Sequence, residues 1–218
     1  MKISVAPEIR AACPVFSVAS ILCEVTNSAS DADLWQEIDS AIVDFRSRKQ
    51  LEDINKHPVI FATRQTYKKL GKDPNRYRPS AEALCRRILH DRDLYRINTL
   101  VDAINLISIK TGYSIGGFDA DKVRGGIALG VGRAGEVFNA IGRGLLNIEG
   151  LPVYRDEAGG IGTPTSDEER TKISIGTSRL LMIINGYSGR EGLPEAVDFS
   201  VGLLKRYAGG KNFEVETS

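Results

Sequence analysis

The chain changes texture near Thr111, and that change limits the folds open to it. Before this point apolar residues recur at helical spacing. Leu34, Trp35, Ile38, Ile42 and Phe45 do so between Asp31 and about Arg48. A basic stretch over residues 60–70 ends at Leu70-Gly71, and Ala81, Leu84, Cys85 and Ile88 follow the Pro79-Ser80 start signal. After Thr111 glycines become frequent. Short β-branched or apolar runs appear at Gly126–Leu129, Gly135–Phe138, Leu151–Tyr154, Ile173–Ile175 and Leu180–Ile184. Helices mainly in the N-terminal half and a strand-rich C-terminal half predict an α+β fold. Within the first 25 residues, Ile3–Val5, Val15–Val18 and Ile21–Val25 read as strands, with a break at Pro7. The loop Asn27–Ser30 is expected to cap the following helix. Pro194–Tyr207 reads as a final helix, and the last ten residues are expected to fray. With no internal repeat and no low-complexity linker, residues 1–218 are expected to form one domain.

Composition excludes several classes. The 218 residues suffice for a real core. No apolar run reaches the ~18 residues of a membrane helix. The start, Met1–Val5, reads as a strand rather than a signal peptide. Cys13, Cys23 and Cys85 are odd in number, widely spaced and without a CxxC motif, which points to reduced thiols in a cytoplasmic protein. His57 and His90 lie in unrelated contexts, so no metal centre and no cofactor is expected. The net charge of +1 hides an asymmetry. Residues 24–53 carry eight acids against three bases, while residues 64–96 carry ten Lys/Arg against four acids, with Tyr67, Tyr77 and Tyr95 among them. A basic segment with interleaved aromatics suits a nucleic-acid backbone; a solvated helical face with snorkelling side chains has the same pattern.

Chemistry-bearing residues gather after Arg96. A helix from about Thr99 to Lys110 places Asn98, Asp102 and Asn105 on one stripe and Ile97, Leu100, Val101, Ile104, Ile107 and Ser108 on a packing face. Thr99 and Asp102 have capping-box spacing. Gly116-Gly117 reads as a turn that returns the chain towards this helix, with Asp119 beyond it. The loop Gly159–Asp167 adds Gly160, backbone amides and the side chains of Thr163, Thr165 and Asp167. Each of these residues also has a plain structural reading as a cap or turn former. Together they predict a polar pocket. No GxSxG elbow, Walker loop or HExxH motif is present, and Gly125–Gly132 lacks the dinucleotide spacing.

Arg96-Ile97-Asn98-Thr99-Leu100-Val101-Asp102 with Asn105, then Gly117-Phe118-Asp119-Ala120-Asp121-Lys122, resembles the B3/B4 domain of the bacterial phenylalanyl-tRNA synthetase β chain. Arg133-Ala134-Gly135-Glu136 and Gly159–Gly162 are similar to its later segments. Tyr77–Leu84 with Arg86-Arg87 looks like the free-standing B3/B4 proteins. The resemblance spans about residues 75–185. It implies an α+β editing-domain fold, a pocket for an aminoacyl ester and a water, and tRNA approaching over a basic surface. Asn105 matches a pocket asparagine of the family and Gly160 a pocket glycine. Counting from Asn105, the family's pocket histidine falls on Gly116, and its pocket glutamate near Met182 or Ile183. That glutamate reads a tyrosine hydroxyl, which an apolar residue would leave unpaired at a cost of roughly 1–3 kcal/mol. A smaller or apolar amino acid is therefore expected in place of tyrosine.

The leading expectation is a tRNA-binding, trans-acting aminoacyl-tRNA deacylase. Tyr77, Arg78, Arg86 and Arg87 would meet RNA, while Asn98, Asp102, Asn105, Gly116, Gly117, Asp119, Gly160, Thr163, Thr165 and Asp167 line the pocket. The alternatives are a non-catalytic binding module for RNA or an amino-acid-like ligand, and an interaction domain whose basic segment meets an acidic partner.

Overall fold

The computed structural model describes residues 1–218. Ten strands and seven α-helices follow in the order β1 (Ile3–Val5), α1 (Pro7–Ala12), β2 (Ser17–Glu24), α2 (Ala32–Arg48), α3 (Leu51–Ile54), α4 (Pro58–Lys69), α5 (Ser80–Leu89), α6 (Thr99–Thr111), β3 (Ile115–Asp119), β4 (Ile127–Val131), β5 (Asn139–Ala140), β6 (Gly144–Leu145), β7 (Pro152–Asp156), β8 (Gly159–Gly162), β9 (Arg179–Gly186), α7 (Leu193–Ala208) and β10 (Lys211–Thr217). The architecture is mixed α+β, as the change of texture predicts.

Two four-stranded sheets, ordered β1-β4-β7-β8 and β10-β2-β9-β3, form two layers, and α2, α5, α6 and α7 cover the second as a third, while α1 packs with the first. Strand β9 shows why this holds together. Leu180, Met182 and Ile184 enter a core shared with Leu34, Ile38, Leu100, Ile107 and Leu204 of the helices. Leu181 and Ile183 point the other way, into a core with Phe118, Leu129, Tyr154 and Ile161 between the sheets. A strand buried on both faces needs an apolar run, and Leu180 to Ile184 is one without a break.

Several expectations are corrected. Pro7 does not simply break the chain; it opens α1 at a position that needs no N–H. Val15 lies outside the strands, and β2 runs unbroken from Ser17 to Glu24. Asp31, rather than the 27–30 loop, caps α2 by accepting from the Leu34 amide at 2.9 Å. Gly135–Phe138 and Ile173–Ile175 are irregular segments rather than strands. The C-terminus does not fray: β10 pairs antiparallel with β2, and the Ser218 amide donates to the Val18 carbonyl at 3.0 Å. Gly116-Gly117 is no turn but the middle of β3. The three cysteines are free and buried. No helix is long and apolar enough to cross a membrane.

Candidate functional site

Helix α6 supplies one wall of a cleft of about 440 Å³, a volume within the range of small-ligand sites. Ile97, Val101, Ile104, Asn105 and Ser108 line it from this side. Apart from Asn105, these are residues read from sequence as a packing face; of that face, Leu100, Ile104 and Ile107 do enter the core. Across the cleft lie Gly117 of β3, the Thr163–Asp167 loop, and Lys172 with Ile173. Ser80 and Leu84 of α5 and Ile141, from the β5–β6 turn, complete it.

The loop is built to hold Asp167 in place. The Thr163 hydroxyl accepts from the Thr165 and Ser166 amides at 3.1 and 3.0 Å and donates to the Ser166 carbonyl. The Pro164 carbonyl accepts from the Ser80 amide at 2.8 Å, tying the loop to the start of α5. Thr165 hydrogen-bonds the Tyr67 hydroxyl (2.9 Å) and donates to the Tyr77 carbonyl (3.2 Å), anchoring the loop to the basic segment. The Asp167 carbonyl accepts from the Ile141 amide at 3.0 Å. Its side chain then meets β3, where Oδ2 accepts from the Gly117 amide at 3.1 Å. Burial pushes the Asp167 carboxyl up to about 7, opposed by that single amide.

Glycines make this approach feasible. A Cβ on Gly162 would lie 2.7 Å from Asp167 Oδ1 and 2.6 Å from the Phe118 ring, and one on Gly116 would press on the same ring at 2.7 Å. A Cβ on Gly117 would meet Ile104 Cδ1 at 2.5 Å, inside the cleft. The cleft therefore offers a branched apolar lining, one carboxyl that titrates near neutrality, and polar groups without protein partners: the Asn105 amide and the Ser108 and Ser166 hydroxyls. Ser108 is only 2 % exposed, and that exposure is to the cleft it lines.

Of the residues singled out from sequence, Asn105, Gly117, Thr163 and Asp167 meet at this cleft. Asn98 caps α6 by accepting from the Val101 amide at 3.0 Å. Asp102 turns away: its carboxylate accepts from the Trp35 indole N–H at 2.8 Å and the Ile97 amide at 3.1 Å. It thus closes no capping box with Thr99. Burial raises its pKa against those two donors. Asp119 accepts from Thr177 and pairs with Lys122, both at 3.0 Å. Gly160 lies against Phe138, and Thr165 serves as the anchor described above. Gly116 faces the Phe118 ring rather than the cleft. Met182 and Ile183 are fully buried on opposite faces of β9, so neither reaches the cleft where the resemblance seats a glutamate. Sequence reasoning missed Ser108 and Ser166, whose only signal was position on a helix face and in a turn.

The basic segment divides as well. Glu82, fully buried, takes Arg64 and Arg86 at 2.8 Å and Arg78 at 3.3 Å; Arg86 also donates to Asn55. Tyr77 is half-buried, with the Lys72 ammonium over its ring at 3.7 Å. Arg87 donates to the Asp93 carbonyl at 2.6 Å and covers the exposed Tyr95 ring at 4.2 Å. Arg92, Tyr95 and Arg96 are exposed and lead directly into Ile97 at the cleft.

The B3/4 domain family model matches residues 62–193, which includes every cleft residue. No curated protein matches the sequence significantly. Among solved structures, the chain is similar to an N-terminal fragment of the phenylalanyl-tRNA synthetase β-subunit from Pyrococcus horikoshii, at 15 % identity and a TM-score of 0.49. The match covers 98 % of this chain and 50 % of that one, so the chain spans about half the length of that fragment.

Proposed function

The chain belongs to the B3/4 domain family, and from that premise we propose that it binds tRNA and hydrolyses an aminoacyl ester on it. One observation carries the hydrolytic part: Asp167 presents a carboxyl poised near 7 to a cleft lined by otherwise unpaired hydrogen-bonding groups. The tRNA part is supported by the likeness of the Arg96–Asp102 and Gly117–Lys122 motifs to the synthetase editing domain. The exposed Arg92, Tyr95 and Arg96, which precede Ile97 of the cleft, support it too.

The chemistry follows from the groups present. Asp167 Oδ1, the oxygen not engaged by the Gly117 amide, takes a proton from water as its oxygen attacks the ester carbonyl. The Asn105 amide and Ser108 hydroxyl donate to the oxyanion that forms. Collapse breaks the bond between the carbonyl carbon and the ribose oxygen. Asp167 returns its proton to that oxygen, releasing the amino acid and the tRNA. Ile97, Val101, Ile104, Leu84, Ile115 and Ile173 give the acyl side chain an apolar surround, which favours a smaller or apolar residue over tyrosine.

A panel of mischarged tRNAs, followed for loss of the amino acid, tests this reading. Acceleration over buffer for at least one pair, lost in Asp167→Asn, is expected. No acceleration for any pair, with binding that still weakens steeply as salt rises, would leave a tRNA-binding module without hydrolysis.

A further inference from the structure

A second cavity of about 460 Å³ lies away from the cleft, between α2, α3 and the start of α4 on one side and α5 with the end of α6 on the other. The wall residues from Glu37 to Ile60 precede the family-matched segment 62–193. The cavity is thus a seam between those helices and the B3/4 domain, unconnected with the Asp167 cleft. None of the 218 residues fills it.

Its floor is apolar: Ala41, Phe45, Ile54, Ile60, Cys85 and Ile109. Its rim is charged, and pairing decides what is left over. Glu37 is met by Lys110 at 3.7 Å, by Arg206 at 3.3 Å and by the Tyr207 hydroxyl at 3.0 Å. Asp44 pairs with Arg48 at 2.6 Å. Asp53 accepts from the Gln50 amide at 2.9 Å and faces Lys56 at 3.8 Å. Each rim carboxylate therefore has a partner, whereas Lys49 has no carboxylate within ion-pair distance. His57 adds a donor. Its Nδ1 is buried without any partner, pressed where a Cβ on Gly112 would sit 2.7 Å away. With no acceptor there, the proton of the neutral ring belongs on Nε2, which is not sealed in this way. Burial and Lys49 both hold the imidazole below its usual pKa, so it remains neutral at pH 7.

We propose that this seam is a binding site for a small amphipathic anion, a carboxylate with a compact apolar tail. The tail lies on the Phe45–Ile54–Ile109 floor, and the carboxylate meets Lys49 and the His57 imidazole N–H. An amine of the same shape would place a second cation beside Lys49, and a neutral alcohol would forgo the ion pair.

Octanoate, octanol and octylamine separate these cases, with binding to the full chain read by calorimetry and by the imidazole resonances of the two histidines. Octanoate is expected to bind best and to shift His57 but not His90. Lys49→Gln, an exposed change, is expected to weaken octanoate about threefold and leave octanol unchanged, as suits a rim charge. Ala41→Phe is expected to fill the floor and remove binding of both. Absence of octanoate binding, equal binding of octylamine, or an unshifted His57 would overturn the proposal. So would undiminished binding by a folded Ala41→Phe protein; should that variant not fold, Lys49→Gln and the His57 shift decide.

Discussion

The Asp167 carboxylate and the Gly117 amide join across the cleft at 3.1 Å, linking a loop to the middle of a strand fifty residues away in sequence. One amide is the only hydrogen-bond donor this carboxylate has in the protein. A carboxylate with two or three donors and a nearby cation is ionised at neutral pH and stays so; half-buried and with one donor, this one is pushed up to about 7. The same bond fixes which oxygen is occupied and which is free for a water.

Asp167→Asn keeps the shape of this link and removes the base. Hydrolysis of the responsive mischarged tRNA should fall about 10²- to 10⁴-fold, the usual range for loss of a general base. The wild-type rate above the spontaneous reaction should rise through pH 7 and level off as the carboxyl ionises. A flat profile between pH 6 and 8, or a variant as active as wild type, would remove Asp167 from the reaction.

The same group makes a stability prediction with a definite sign. Its folded pKa, about 7, lies above the ordinary carboxylate value, so between pH 4 and 7 the folded state binds more protons than the unfolded one. Stability is therefore lost as pH rises through this window. Urea denaturation at pH 4.5 and pH 8 should show Asp167→Asn gaining on wild type at the higher pH. A variant that loses stability at pH 8 would mean that the carboxylate is better solvated than its setting implies.

Gly117→Ala tests the cleft itself. The added methyl would lie 2.5 Å from Ile104 Cδ1 and 3.0 Å from Ile173 Cδ1, both flexible side-chain ends, so the strand can persist while the cleft narrows. KM should rise several-fold for a bulky aminoacyl group and less for a small one, with thermal stability nearly unchanged. Equal effects on large and small acyl groups would place the acyl side chain elsewhere.

Helix α6 was legible from its spacing, and its Asn98 cap was within reach of sequence rules. What its faces do was not. Asp102 sits on the stripe with Asn105, yet Trp35 claims it from 67 positions away, and no local pattern encodes such a partner. Val101 read as core because the lining of an apolar cleft and the lining of a core have the same periodicity, and Ile104 serves both at once. Gly116-Gly117 read as a turn because a glycine needed for close approach looks no different from one needed for positive φ. Strand β10 carries too few apolar residues to reveal that β2 leaves an edge open to it. Asp167 was visible as a residue type, but the burial that shifts its pKa comes from Gly116, Gly117 and Gly162 letting strands and loop crowd together.

Glu82 offers the last prediction, since it decides how the basic segment is read. Its carboxylate is fully buried and holds Arg64, Arg86 and Arg78. Glu82→Gln leaves two largely buried guanidinium groups without a counter-charge, a change that typically costs about 3–5 kcal/mol. Arg86→Gln should cost a large part of that, whereas Arg78→Gln, at a side chain 42 % exposed, should cost under about 1 kcal/mol. If Arg78 also meets RNA, its loss should reduce the salt dependence of tRNA binding by about one phosphate contact while the fold remains intact. Denaturation curves and salt titrations of the three variants separate the roles. An Arg86→Gln protein as stable as wild type would return Arg86 to the RNA surface, and an Arg78→Gln protein with unchanged salt dependence would remove Arg78 from it.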